Sequence, residues 1–252
     1  MIKTYVISLE KSADRREACF NHCRAVGLEP IWFRAINGKE VLQYPQQELF
    51  PADVKIDLQD KFTLNLGINR TVTIEDKLSA SELGCALSHL SVYHDMVSNN
   101  VERALILEDD CLLQSSVAEI LPTILTKASL WDIVLLYSES GVRDLVGRRK
   151  IFLDEKHRFY MKRKGMGTVL DPIFNRRRMA FLACAYMLNL KAAKRLLSIG
   201  NPVRMPADYL TGLISYHHLR LFTCHPMEQI ASVNTFESTI ASQESRPQHR
   251  LK

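Results

Sequence analysis

The spacing of apolar positions changes several times along the chain, and each change marks an element. Thr4 to Leu9 is a short run rich in β-branched and aromatic residues and reads as a buried strand. Ser12 or Asp14 is placed to cap a helix that runs to about Ala25 and stops at Gly27. Ile31 to Ala35 is a second strand, so the chain opens strand–helix–strand, which predicts parallel pairing. Over residues 37–78 the periodicity is weak, and an irregular insertion with one short helix is expected. The clearest helix spans Ser81 to Val97. Ser79 with Glu82 three residues later fits a capping box, and Leu83, Leu87, Leu90, Tyr93, His94 and Val97 form one stripe. Glu82 and His89 share a flank of that stripe. Ala104-Leu105-Ile106-Leu107 is wholly apolar, as a central parallel strand should be. A helix from Ser116 to Lys127 and a strand from Trp131 to Tyr137 follow. The later pieces are a strand over Phe181 to Asn189, a helix over Leu190 to Ser198 and a break at Gly200-Asn201-Pro202. A helix from Pro206 through about His217 and a last strand over Leu219 to Cys224 end the series. The expected fold class is α/β, with a mainly parallel sheet flanked by helices.

Size and charge refine this. A chain of 252 residues with 46% apolar residues suits one domain, taken as 1–237, with a polar tail over 238–252. No run of about 18 apolar residues is present, and the first residues lack the pattern of a signal peptide, so a cytoplasmic protein is expected. The six cysteines form no CxxC pair; thiols are expected, with Cys85, Cys111 and Cys184 buried as small hydrophobes. The net charge of +5 is unevenly spread: residues 143–178 hold 12 basic and 4 acidic residues, a net of +8. That segment points to an anionic partner. Neither GxGxxG nor GxxxxGKS occurs, which argues against a dinucleotide dehydrogenase or a P-loop enzyme, and no nucleic-acid-binding motif accompanies the basic charge.

The strongest chemical signal is Glu108-Asp109-Asp110, directly after the apolar strand. Adjacent carboxylates repel one another and are tolerated where a cation sits. Ligands of open α/β sheets bind beyond the carboxyl ends of the strands. Oxygen donors suit Mg²⁺ or Mn²⁺.

Four segments in order resemble glycosyltransferase family 25, which includes bacterial lipooligosaccharide galactosyltransferases. They are Tyr5-Val6-Ile7-Ser8-Leu9 with Arg15-Arg16; Ser81-Glu82-Leu83-Gly84-Cys85-Ala86-Leu87-Ser88-His89; Ala104 to Asp110; and Ala183-Cys184-Ala185-Tyr186 through Lys194-Arg195-Leu196-Leu197 to Pro206-Ala207-Asp208. The resemblance implies a GT-A fold, Rossmann-like, and inverting transfer of a hexose, most often galactose from UDP-galactose, onto a lipooligosaccharide core sugar. It implies Asp110 as ligand of Mn²⁺ or Mg²⁺, with His225 as a further ligand. Glu108 and Asp109 would belong to the nucleotide-sugar site with Ser8, Arg15, Glu82 and His89. Asp208 is the expected general base and Glu139 its alternative. The basic segment would meet phosphorylated core sugars and the anionic inner face of the inner membrane. The competing readings are a Mg²⁺-dependent phosphohydrolase and a non-catalytic protein that keeps the fold.

Overall fold

The computed structural model describes residues 2–44, 48–67, 70–74, 77–139, 150–164 and 181–233. Strand β1 (Lys3–Ser8), helix α1 (Ala13–Ala25) and strand β2 (Pro30–Arg34) form the opening unit, with β1 and β2 parallel. Gly27 follows α1 at a φ of +77°, a left-handed conformation that glycine adopts without steric cost. Ser12 sits at the cap position of α1 but makes no side-chain cap bond. Helix α2 (Gly38–Gln43) is the short helix expected after Asn37.

Strands β3 (Phe62–Gly67) and β4 (Arg70–Ile74) pair as an antiparallel hairpin inside the segment expected to be irregular. Phe62 and Leu64 are buried and Thr63 and Asn65 exposed, but this alternation covers too few residues to stand out in the sequence. Helix α3 (Ala80–Ser98) starts with the expected capping box. The Ser79 hydroxyl accepts from the Glu82 N–H at 3.2 Å, and the Glu82 carboxylate accepts from the Ser79 N–H at 3.1 Å. Strands β5 (Arg103–Glu108) and β6 (Cys111–Leu113), helix α4 (Ser116–Thr126) and strand β7 (Ile133–Glu139) follow.

The described part of the basic segment holds β8 (Ile151–Phe152) and β9 (Tyr160–Arg163). Strand β10 (Phe181–Asn189) runs into helix α5 (Leu190–Gly200). The helix expected from Pro206 to His217 is two, α6 (Ala207–Gly212) and α7 (Ile214–His217), broken next to Gly212, a poor helix former. Strands β11 (Leu221–His225) and β12 (Ala231–Val233) end the described chain. The polar tail over 238–252 lies outside the described residues.

The main sheet has eight strands in the order β2-β1-β5-β10-β7-β11-β9-β8. Six point one way, while β10 and β9 are reversed. Helices cover both faces, which explains why β5 is apolar throughout. Its residues alternate: Ala104 and Ile106 pack with α3, α5 and α6, and Leu105 and Leu107 pack with α1 and α4. All four are 0% exposed, so β5 is the spine of the domain. Among the described residues no helix is long and apolar enough to cross a membrane.

Candidate active site

From β1 the chain moves through α1 to β2 on one side, and β5 lies on the other. The first strand and β5 therefore end side by side at a point where strand order reverses. Such a point leaves a crevice at the carboxyl edge of the sheet. A cleft opens there, lined among others by Ser8, Arg15, Cys85, His89 and all three residues of the acidic triplet. It holds about 990 Å³ of empty space, the open solvent at its mouth included.

Strand alternation divides the triplet. Glu108 continues the face of Ala104 and Ile106, toward α3, where its Oε1 lies 3.4 Å from His89 Nε2. Asp109 turns to the α1 side. There its Oδ2 accepts from the Ser8 hydroxyl at 2.8 Å and its Oδ1 pairs with Arg15 Nη2 at 2.5 Å. Arg15 Nη2 also lies 3.5 Å from Asp110 Oδ2. Burial raises the Asp109 carboxyl above the usual range against the opposing pull of Arg15. Asp110 is pushed up to about 7, first by burial and then by the Glu108 charge. Its Oδ1 is buried and has no hydrogen-bond partner. Asp109 and Asp110 thus share one guanidinium while Glu108 faces His89, a crowding of negative charge that a divalent cation would offset.

The Ser81-to-His89 segment has a structural logic of its own. A side chain on Gly84 would meet the Ile36 carbonyl oxygen at 2.5 Å, and one on Gly38 the Ala80 oxygen at 1.8 Å. Both glycines are needed for the loop before α2 to press against α3. Ser88 fastens that loop: its hydroxyl accepts from the Ile36 N–H at 2.8 Å and donates to the Gly84 carbonyl at 2.6 Å. Cys85 and His89, one turn apart, then face the cleft. Cys111 and Cys184 are buried as expected, but Cys85 is only half-buried and lines the cleft. His89 is held by the Tyr186 hydroxyl, 2.6 Å from its Nδ1, and Tyr186 by Tyr93 at 2.7 Å. Tyr93 belongs to the α3 stripe and Tyr186 to the fourth resembling segment, but neither position signals this contact; only the fold brings β10 beside α3.

The remaining sequence candidates are scattered. Glu82 serves the capping box and is absent from the cleft lining, although its charge reaches Cys85. Asp208 stands in the first turn of α6 and its Oδ1 accepts from the Tyr209 N–H at 2.9 Å; like Glu82 it is absent from the cleft lining, although its charge reaches Cys85. His225 ends β11 at the same sheet edge, three strands away from β5. There it stacks on Tyr160 at 5.3 Å and pairs with the Thr223 hydroxyl at 2.9 Å. The structure therefore joins Ser8, Arg15, His89 and the triplet, and sets His225 apart. Glu139 closes β7, and its side chain lies outside the described residues. Arg16, the neighbour of Arg15, lies over the Trp32 ring at 4.1 Å and donates to the Leu9 carbonyl at 3.1 Å, an arrangement that braces the end of β1.

Residues 1–211 match the family model described as Glycosyltransferase family 25 (LPS biosynthesis protein). A glycosyltransferase 25 family member of Aedes aegypti is 24% identical over 93% of this chain and 33% of its own length. A human protein named inactive glycosyltransferase 25 family member 3 is 24% identical over 90% of this chain and 33% of its own. The chain thus spans about a third of the length of these curated relatives. Among solved structures, protein A197 from STIV is similar over 99% of this chain and all of its own, at 8% identity and a TM-score of 0.41. The match to the family model covers every segment that builds the cleft, and the chain belongs to glycosyltransferase family 25.

Proposed function

We propose that the chain is a metal-dependent, inverting hexosyltransferase of the GT-A type that uses a UDP-sugar, with UDP-galactose the first donor to test. The observation that carries the reading is the state of Asp110. Its carboxyl is raised to about 7 by burial and Glu108, and one of its oxygens is buried without a partner in an acidic cleft. Oxygen donors of this kind fit Mn²⁺ or Mg²⁺. Asp110 would hold the ion and Glu108 would support it through water or meet the ribose, whereas His225 lies three strands from β5 and stands too far away to join them.

When bound, the ion neutralises the charge that builds on the departing diphosphate. The protein's own groups do the rest. Ser8 and Asp109, locked together with Arg15, form a rigid polar floor for the nucleotide. Arg15 supplies a cation to a phosphate or ribose oxygen. Asp208 takes the proton from the acceptor hydroxyl as it attacks the anomeric carbon from the face opposite the leaving group. The proposed acceptor is a lipooligosaccharide core sugar, met at the cytoplasmic surface of the inner membrane. Lys150, Lys162 and Arg163 of the basic segment would face its phosphates.

The test is transfer or hydrolysis of UDP-hexoses by the purified chain with Mn²⁺. Metal-dependent release of UDP that disappears in Asp110→Ala supports the proposal. Release that is unchanged in that variant contradicts it. The human relative is named an inactive family member, and a non-catalytic sugar-nucleotide-fold protein is the second reading. Donor binding without turnover on any acceptor would favour that second reading.

A further inference from the structure

The proposed transfer leaves a buried atom of His89 unused. His89 is 2% exposed, and its Nε2 has no hydrogen-bond partner. The same ring's Nδ1 is fixed by the Tyr186 hydroxyl at 2.6 Å, backed by Tyr93. With Nδ1 donating to Tyr186, Nε2 keeps its lone pair, and Glu108 Oε1 lies 3.4 Å from it. Cys85 and Glu108 arrive independently: Cys85 lies four residues before His89 on the same face of α3, and Glu108 comes from the end of β5. One ligand atom from each of the three lies within 4.8 Å of the others.

We infer that Cys85 Sγ, His89 Nε2 and a Glu108 carboxylate oxygen form a binding site for a thiophilic divalent cation, with zinc the species that fits. This goes beyond the transferase reading and does not depend on it. The 3.4 Å between His89 Nε2 and Glu108 Oε1 matches the edge of a tetrahedron whose metal bonds are about 2.1 Å long. A thiolate bonded at about 2.3 Å needs to sit roughly 3.6 Å from its neighbours. With all separations within 4.8 Å, Cys85 needs to close by at most about 1 Å, a movement its side-chain rotation supplies.

The surroundings favour a cation. Burial first, and then the charges of Glu108, Asp208, Asp110 and Glu82, hold the Cys85 thiol well above its usual range, so a cation must displace its proton. On binding, the thiol gives up its proton to solvent and the thiolate–zinc bond forms, so one proton is released per ion. The hydroxyl behind Nδ1 is the kind of outer support that orients a metal-bound histidine. The fourth position opens into the cleft, as in zinc sites that keep a place for water or substrate. Ligand softness separates this position from Asp110, whose oxygens suit magnesium or manganese. Glu108 is common to both, so an ion held here would set the orientation of the carboxylate that faces the proposed donor.

The experiment uses the full chain, stripped with a chelator and dialysed. Zinc is titrated in competition with a chromogenic chelator, and cobalt(II) serves as a spectroscopic substitute. One equivalent should bind, and the cobalt form should show thiolate-to-cobalt charge-transfer absorption in the near ultraviolet. Cys85→Ser should lose that band, and His89→Gln should weaken zinc at least about tenfold, as should Tyr186→Phe, which removes only the outer support. Asp110→Ala should keep the band, which separates this site from the proposed manganese site. Circular dichroism and thermal unfolding establish that each variant is folded; Cys85→Ala replaces Cys85→Ser if that one is not. The inference is overturned if folded wild type shows no charge-transfer band, or if the band survives loss of the Cys85 thiol. Loss of the band in folded Asp110→Ala would overturn it as well.

Discussion

At the scale of single residues, the identity of the proton acceptor is the sharpest question. Asp208 lies outside the cleft lining, its charge reaches Cys85, and it already accepts one backbone N–H. A base that forms no bond to substrate other than through the proton should cost turnover rather than binding. Asp208→Asn should lower kcat by about 10²–10⁴-fold with little change in KM, whereas Glu139→Gln should leave kcat within a few fold. The reverse ranking, measured at saturating donor and acceptor, would move the role to Glu139. Residue-level chemistry was legible where it was local. The triplet stands out because it follows four apolar residues without interruption, and strand alternation alone sends Glu108 to one face and Asp109 to the other. Ser8 and Arg15 were legible as the end of a strand and the start of the next helix. Tyr186 was not, because nothing near it in sequence signals that its hydroxyl meets a histidine 97 residues away.

Among the elements, the contact of α2 with α3 is the most exacting. Gly84 sits where any side chain would strike the Ile36 carbonyl, and that loop lines the cleft. Gly84→Ala should destabilise the protein by about 1–3 kcal/mol and weaken donor binding together with it. Denaturant unfolding and a donor titration check both; an unchanged unfolding midpoint would contradict the packing account. A second prediction concerns α7 and β11. His217 is buried, with Nε2 donating to the Thr211 carbonyl at 3.0 Å and Nδ1 accepting from the Leu219 N–H at 2.9 Å. Burial lowers its pKa to about 4. The folded state therefore holds a neutral ring while the unfolded chain takes up a proton below about 6.5. Stability from this group is complete above that value and is lost as the pH falls from about 6.5 to 4, by roughly 3 kcal/mol in all. Thermal unfolding of wild type and His217→Gln across that range should show the slope flattened in the variant. Long elements such as α3 and β10 were legible from periodicity and capping. The hairpin of β3 and β4 and the three-residue strands β6 and β12 were not, because their pairing is decided by distant partners.

For the whole molecule, the order of the sheet is what turns separate signals into a site. The strand–helix–strand opening predicted parallel pairing, but the insertion of reversed β10 between β5 and β7 depends on long-range pairing that no local pattern encodes. That insertion delivers Tyr186 to His89 and leaves His225 three strands from the triplet. The far edge of the sheet, β8 and β9, presents Lys150, Lys162, Arg163 and the partly exposed Phe152. Sedimentation with vesicles should show more binding to anionic than to neutral lipid at low salt, and the difference should fade at high salt; equal binding to both would count against membrane docking. A metal-dependent sugar-nucleotide site built on Asp110 should show itself in thermal unfolding with a panel of nucleotide sugars, with and without Mn²⁺. A ligand at a hundredfold excess over its Kd adds about 2.7 kcal/mol, a rise of several degrees for a chain this size. The account predicts such a rise for one UDP-hexose, only with Mn²⁺, and its absence in folded Asp110→Ala. A rise of the same size without metal, or retained in Asp110→Ala, would contradict it.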